Sequence, residues 1–415
     1  MGNRNAIVVP LRPRAAWTQA LKEIQHGACR IDRVGRWPTA NIRILHAAGA
    51  LGWSIPRRFG GRPLGALALH QRYEQLAAVC LASALILTQR DAALEFLACV
   101  PGNALAEKLL RQAAANRVFL TIGIAQLTTS GQHDLPRVTA RQCSGGWIIS
   151  GVIPWATGAH HADWIVAGAT LADNNCKSMG ISGGQLLFLL STRRRGVTVL
   201  PADKLSTLNA TGTAPVRLKS VRVLDGEILA GPAANVLSVR QRQKRFSLNT
   251  CILPLGVAGG ALAMAGELAM GRSAESRRAV DELRRRLGEL RATVYAVGTG
   301  RHSAGPDSTS LAVEADLQPT AAPDKTSLRA AANVVCGQAA LAALELAKGR
   351  GLSLHHAAQR RARESHFFFV WSSPSAVIDQ TLAMLAGLTE RLTSDNARSH
   401  CPAPGFEMGR LRAKQ

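Results

Sequence analysis

The chain has 415 residues, 47% apolar and 19% charged, long enough to enclose sizeable cores and too apolar for general disorder. Its formal net charge of +23 would suit a polyanionic ligand, but the arginines are dispersed in short runs and aromatics make up only 4%. That pattern argues against a nucleic-acid-binding protein, which needs a concentrated basic face or a stacking platform.

In chain order, residues 14–118 read as helical, with i, i+3, i+4 apolar spacing over Tyr73–Ala78 and Ala104–Leu110. Glycine and proline turn chemistry interrupts this block from Gly52 to Gly61. Residues 119–230 change texture, and short β-branched runs predict strands at 147–152, 164–168, 186–190, 196–199 and 216–223. From about 233 the helical pattern returns to 395, broken by a Gly/Ser/Pro/Thr-rich stretch from Gly298 to Ser327 that reads as a long loop. The uncharged run Cys251–Gly266 holds Pro254 and four glycines, and reads as a buried helix rather than a bilayer span. The eight cysteines show no CxxC pair and no zinc-like Cys/His spacing, so no metal site is expected. With no signal-peptide order at the start, the expectation is a cytoplasmic protein without membrane insertion.

The expected fold class is therefore α+β, with boundaries at 1–118 (N-terminal helical domain), 119–232 (central β-barrel or sandwich), 233–395 (C-terminal four-helix bundle) and 396–415 (polar basic tail). Local motifs agree with one known family. Gly52-x-x-x-Pro56-x-x-x-Gly60-Gly61 resembles a turn of the acyl-CoA dehydrogenase superfamily. Gly145-Gly146-Trp147 through Trp155-Ala156-Thr157-Gly158-Ala159-x-x-Ala162-Asp163 resembles its G-x-x-x-x-G-x-K-x-W-I-T-N-A-x-x-A-D stretch. Ala125-Gln126-Leu127-Thr128-Thr129-Ser130-Gly131 occupies the place of its T-E-P-x-x-G-S loop. Gly212-Thr213-Ala214 resembles its S-D-T-A strand with glycine for aspartate. The resemblance covers roughly residues 40–390.

The resemblance implies FAD as cofactor. Ala125, Gln126, Leu127, Thr128, Ser130, Gly131, Trp155, Ala156 and Thr157 would then contact the flavin, with Trp155 flanking its ring and the Thr157 hydroxyl near N5. Glu345 and Gly349, in a run similar to Q-x-x-G-G-x-G, would meet the FAD of a neighbouring copy. Arg272 is the nearest candidate for an arginine on the pyrophosphate. The implied partners are a small-molecule substrate such as an acyl-CoA, a flavin reductase or an electron-transfer flavoprotein, and further copies of the chain in a homo-dimer or homo-tetramer.

The chain departs from the family at the catalytic base. Following Arg360-Arg361-Ala362-Arg363-Glu364, the family's Y-E-G-T segment aligns with Trp371-Ser372-Ser373-Pro374, which puts Ser372 on the catalytic glutamate. A serine hydroxyl is no general base near neutral pH. The family's other position for this glutamate, near Arg245–Thr250, also lacks a carboxylate. Glu364 falls on a structural aspartate. Reduced-flavin monooxygenases of the same fold dispense with the glutamate and use hydroxyl and imidazole groups instead. His133, His160, His161 and His366 lie in flavin-adjacent segments, and His366 with Ser372 is the preferred catalytic pair. Three readings follow: a flavin oxidoreductase with non-standard residues, a reduced-flavin monooxygenase, or a non-catalytic flavin- or acyl-binding protein.

Overall fold

The computed structural model describes residues 13–128, 137–172, 184–238, 248–299 and 324–388. The first block comprises α1 (Pro13–Val34), α2 (Thr39–Ala47), α3 (Ala66–Val79), α4 (Leu81–Ala98) and α5 (Ala104–Ala114). Proline suits the first turn of α1, whose N–H groups lack intrahelical partners. Asn103 caps α5 by accepting from the Ala106 N–H at 2.9 Å, while its amide donates to the Gly226 and Ile228 carbonyls. One side chain thus starts a helix and ties it to the strand block.

Among the described residues eight strands follow: β1 (Leu120–Gly123), β2 (Val138–Cys143), β3 (Gly146–Ala156), β4 (Trp164–Leu171), β5 (Gln185–Ser191), β6 (Val197–Val199), β7 (Ala214–Leu224) and β8 (Ile228–Ala233). They form one mixed sheet in the order β6-β7-β3-β2-β4-β5-β8, with β1 parallel to β4. The five strands read from β-branched runs are all present. β1, β2 and β8 are additional.

The last block holds α6 (Asn249–Ala269), α7 (Ala274–Thr299), α8 (Lys325–Ala347), α9 (Ala357–Val370) and α10 (Ser375–Leu385). The expected loop is shorter at both ends than its composition suggests, because Gly298 lies in α7 and Lys325 opens α8, capped by the Asp324 carboxylate on the Thr326 N–H. The expected polar tail from 396 lies outside the described residues. α6 and α8 are long and apolar enough to cross a bilayer, but 61% of α6's most apolar window is buried inside the protein, which accords with reading it as a core helix.

Three cores hold the layers together. One combines Trp17, Leu76 and Leu85 of the first block with Leu253, Ala258 and Ala340 of the last, so the two helical blocks share an interior. A second lies inside the sheet around Ile149, Phe188 and Val221. The third packs α4 and α5 against the sheet through Leu94, Leu109, Val166 and Leu189. α6 approaches α3 closely because a Cβ at Gly256 would lie 2.4 Å from the Glu74 carbonyl oxygen, and one at Gly260 2.2 Å from that of Ala78. Only glycine fits there.

Candidate functional site

A cavity of about 660 Å³ opens where the sheet meets α4, α6 and α9, a volume ordinary for a small-molecule or cofactor pocket. One wall comes from the sheet. The β3–β7 pairing shifts register between Ile153 and Ala156, with Pro154 and Trp155 of β3 against Pro215 of β7. Such a bulge re-aims the strand: Trp155 stands 43% exposed while Ala156 turns into the core. Trp155, Thr157, Thr213, Ile122, Ala125 and Thr128 line the cavity on this side. The Thr157 carbonyl is pinned by the Thr121 hydroxyl at 2.7 Å.

α4 contributes Leu85, Gln89 and Ala92, one face at i, i+4, i+7 spacing. The segment 205–211 closes the rim. Its Ser206 carbonyl accepts from Arg363 of α9 at 2.6 Å, and Arg363 also pairs with Asp32 of α1. Asn249 and Thr250 enter from the start of α6. His366, Phe367, Val370, Trp371 and Ser372 enter from the end of α9. Phe367 and Trp371 are stacked at 5.3 Å.

The turn that carries Ser372 is held from below. Arg329 of α8, only 7% exposed, donates to the Ser372 carbonyl at 2.5 Å, to the Trp371 carbonyl, and to Ser373 Oγ at 3.2 Å. Ser372 has φ +50°, a left-handed conformation rare for a residue with a side chain. Strain of this kind persists where the surroundings over-determine it, and it clusters at functional sites.

The cavity therefore gathers both halves of the expected site. Ala125, Thr128, Trp155 and Thr157 face Ser372 and His366 across it. Other expected contacts are placed elsewhere. Gln126 is buried, its amide donating to the Gly123 and Gly168 carbonyls. Leu127 fills the space over Gly168, and Ala156 belongs to the sheet core. These three offer no side chain to the cavity. Ser130, Gly131 and His133 lie outside the described residues. Glu345 and Gly349 are exposed at the far end of α8, where Arg272 donates to the Leu346 carbonyl at 3.0 Å. Glu364 is buried and paired with Arg360 at 2.8 Å, which fits its structural reading. His161 stacks on Trp37 at 4.3 Å beside the Thr157 turn, and burial lowers its pKa.

Sequence reasoning missed Gln89, Thr207, Thr211 and Arg329. Thr207 Oγ1 is buried on the cavity wall without a protein partner, a vacant hydrogen-bonding position. Among the described residues the lining contains no Asp, Glu, Lys or Arg, and His366 is its titratable side chain. The two positions where the resemblance expects a carboxylate, Ser372 and the start of α6, are both on this wall. Gly212, where the resemblance expects aspartate, has φ +56° and a Cβ there would sit 3.6 Å from Trp37. Glycine suits the left-handed turn under that ring.

Residues 15–117 match the family model for the acyl-CoA dehydrogenase N-terminal domain. The mitochondrial short-chain specific acyl-CoA dehydrogenase of Bos taurus is 24% identical over 258 residues, 61% of each chain, so the matched region spans less than two thirds of that relative. Among solved structures, butyryl-CoA dehydrogenase from Megasphaera elsdenii superposes with TM-score 0.72 at 16% identity, over 92% of this chain and 99% of that one. A dibenzothiophene monooxygenase from a Paenibacillus species gives TM-score 0.71 at 16% identity, over 91% and 97%. The likeness to both is one of fold. Residues 15–117 thus carry the acyl-CoA dehydrogenase N-terminal domain, and the chain as a whole has the acyl-CoA dehydrogenase-like fold.

Proposed function

We propose that this protein is an FAD-dependent oxidoreductase whose chemistry does not use a carboxylate base. The observation that carries the reading is the cavity itself: Trp155, Thr157 and Thr128 face Ser372 and His366, with no acidic side chain between them. The residues present fit a flavin. Trp155 offers an exposed flat indole for a planar ring. The threonine hydroxyls and the unpartnered Thr207 Oγ1 supply polar contacts for its edge. A bound flavin would supply hydride and electron transfer.

The chain's own residues then have definable work. Trp155, Phe367 and Trp371 exclude water from one flat space. His366 would offer its ring nitrogens as hydrogen-bond donor and acceptor to a group bound in the cavity. Ser372, fixed by Arg329, can donate or accept a hydrogen bond but cannot abstract a carbon-bound proton. Glu345, Gly349 and Arg272 would complete the cofactor site of a second copy in a homo-oligomer working in the cytoplasm.

A yellow protein with flavin absorbance, whose bound FAD is not bleached by butyryl-CoA under anaerobic conditions, is expected. Colourless protein that takes up no FAD refutes the cofactor. Rapid bleaching would restore ordinary α,β-dehydrogenation of an acyl thioester. A second reading, a reduced-flavin monooxygenase, is favoured by the hydroxyl and imidazole lining and by the fold shared with the dibenzothiophene monooxygenase. It requires a separate reductase and O₂, with one oxygen atom going to the substrate and one to water. Turnover with an electron-transfer flavoprotein and no O₂ would count against it.

A further inference from the structure

Three threonine hydroxyls stand in line along the cavity wall. Thr211 Oγ1 is 2.8 Å from the Leu208 carbonyl oxygen, Thr211 and Thr213 hydroxyls are 2.8 Å apart, and Thr213 and Thr157 hydroxyls are 3.2 Å apart. Thr211 is 1% and Thr157 8% exposed. The turn that carries Thr211 is set between two left-handed residues, Leu208 and Gly212, and the Thr211 N–H also bonds the Leu208 carbonyl.

Each hydroxyl has one proton. The carbonyl only accepts, so the Thr211 proton is committed to it. Thr213 must then donate to Thr211, and Thr157 to Thr213. This leaves Thr157 facing the cavity with lone pairs and no proton. Reversing all three hydroxyls is the alternative, and it strips the Leu208 carbonyl of its hydroxyl donor. One net hydrogen bond lost is a bias on the order of fivefold.

We infer that the Thr157–Thr213–Thr211 chain fixes Thr157 as a hydrogen-bond acceptor, so that the site favours a reduced flavin, whose N5 carries a proton, over an oxidised one, whose N5 is itself an acceptor. The inference rests on the flavin reading above. Thr211 and Thr213 act through Thr157 and are positioning residues. A preference for reduced cofactor suits an enzyme that receives its flavin already reduced.

The test is the midpoint potential of bound FAD, with dissociation constants for oxidised and dithionite-reduced FAD. Thr211→Val keeps shape and removes the anchoring hydroxyl. It is expected to lower the potential by on the order of 20 mV, the two-electron equivalent of fivefold, by weakening reduced FAD relative to oxidised. Thr213→Val should shift it in the same direction, and Thr211→Ser should restore the wild-type value. Wild-type protein that binds FAD in neither state would overturn the flavin reading and this inference together. FAD bound by both valine variants with an unmoved or raised potential would overturn the hydroxyl chain alone.

Discussion

Arg329 shows how much one side chain carries at this site. Its guanidinium is the donor for two consecutive carbonyls in the turn between α9 and α10. Burial lowers its pKa, yet it remains charged throughout the ordinary range. Arg329→Met leaves those carbonyls unpaired and is expected to cost about 2–3 kcal/mol in urea unfolding, with Arg329→Lys recovering part of it. His70 on α3 gives a pH-dependent counterpart. Burial lowers its pKa from 6.5 to about 4. The unfolded chain therefore binds a proton that the folded chain refuses between those values. Stability is intact above pH 6.5 and falls as pH drops toward 4, by on the order of 3 kcal/mol. Urea midpoints at pH 7 and pH 4.5 should differ more for wild type than for His70→Gln. If the two slopes match, His70 is not the source. Trp155, Thr157, His366 and Ser372 were legible in the sequence because each sits in a run with recognisable neighbours. Thr211, Gln89 and Arg329 were not, because their roles depend on partners brought close only by the fold.

At the level of elements, the strands found by pattern were those that alternate or run apolar between turns. β1 escaped because it is four residues long and buried throughout, β2 because its Val138–Cys143 run is half polar, and β8 because it holds Gly231 and Pro232. α6 was legible as a buried helix, but not the reason for its glycines. Gly256 and Gly260 face the backbone of α3 one turn apart, letting the helices meet closer than side chains allow. Gly256→Val puts atoms where the Glu74 carbonyl lies. We expect it to abolish soluble expression or cost more than about 3 kcal/mol, whereas Gly271→Val, whose Cβ would meet nothing within 4 Å, should express normally. Equal behaviour of the two variants would contradict the close approach. α10 presents the opposite case: Ile378, Leu382 and Leu385 form an exposed apolar row at i, i+4, i+7 spacing, continued by Leu388. Leu382→Glu is expected to move the protein to a smaller species in light scattering if that row is where copies meet. An unchanged mass would locate the contact elsewhere.

Over the whole molecule, the +23 charge finds a partial account in what the arginines touch. Arg194, Arg222, Arg272, Arg284, Arg360, Arg361 and Arg363 all donate to backbone carbonyls, as Arg329 does. Arg194, Arg284, Arg360 and Arg363 also pair with Glu227, Asp281, Glu364 and Asp32, but at Arg222, Arg272 and Arg329 the carbonyl satisfies the donor without cancelling its charge. Composition revealed the excess, but not that part of it is structural. The core shared by the first and last helical blocks carries a further consequence for biosynthesis. Leu76 of α3, whose neighbour Glu74 abuts Gly256, is not fully covered until α6 has been translated. At roughly 5–20 residues per second the leading helices therefore wait for on the order of tens of seconds with their apolar faces open. The chain is a protein whose beginning is finished by its end, and its dependence on chaperones should be set by that delay.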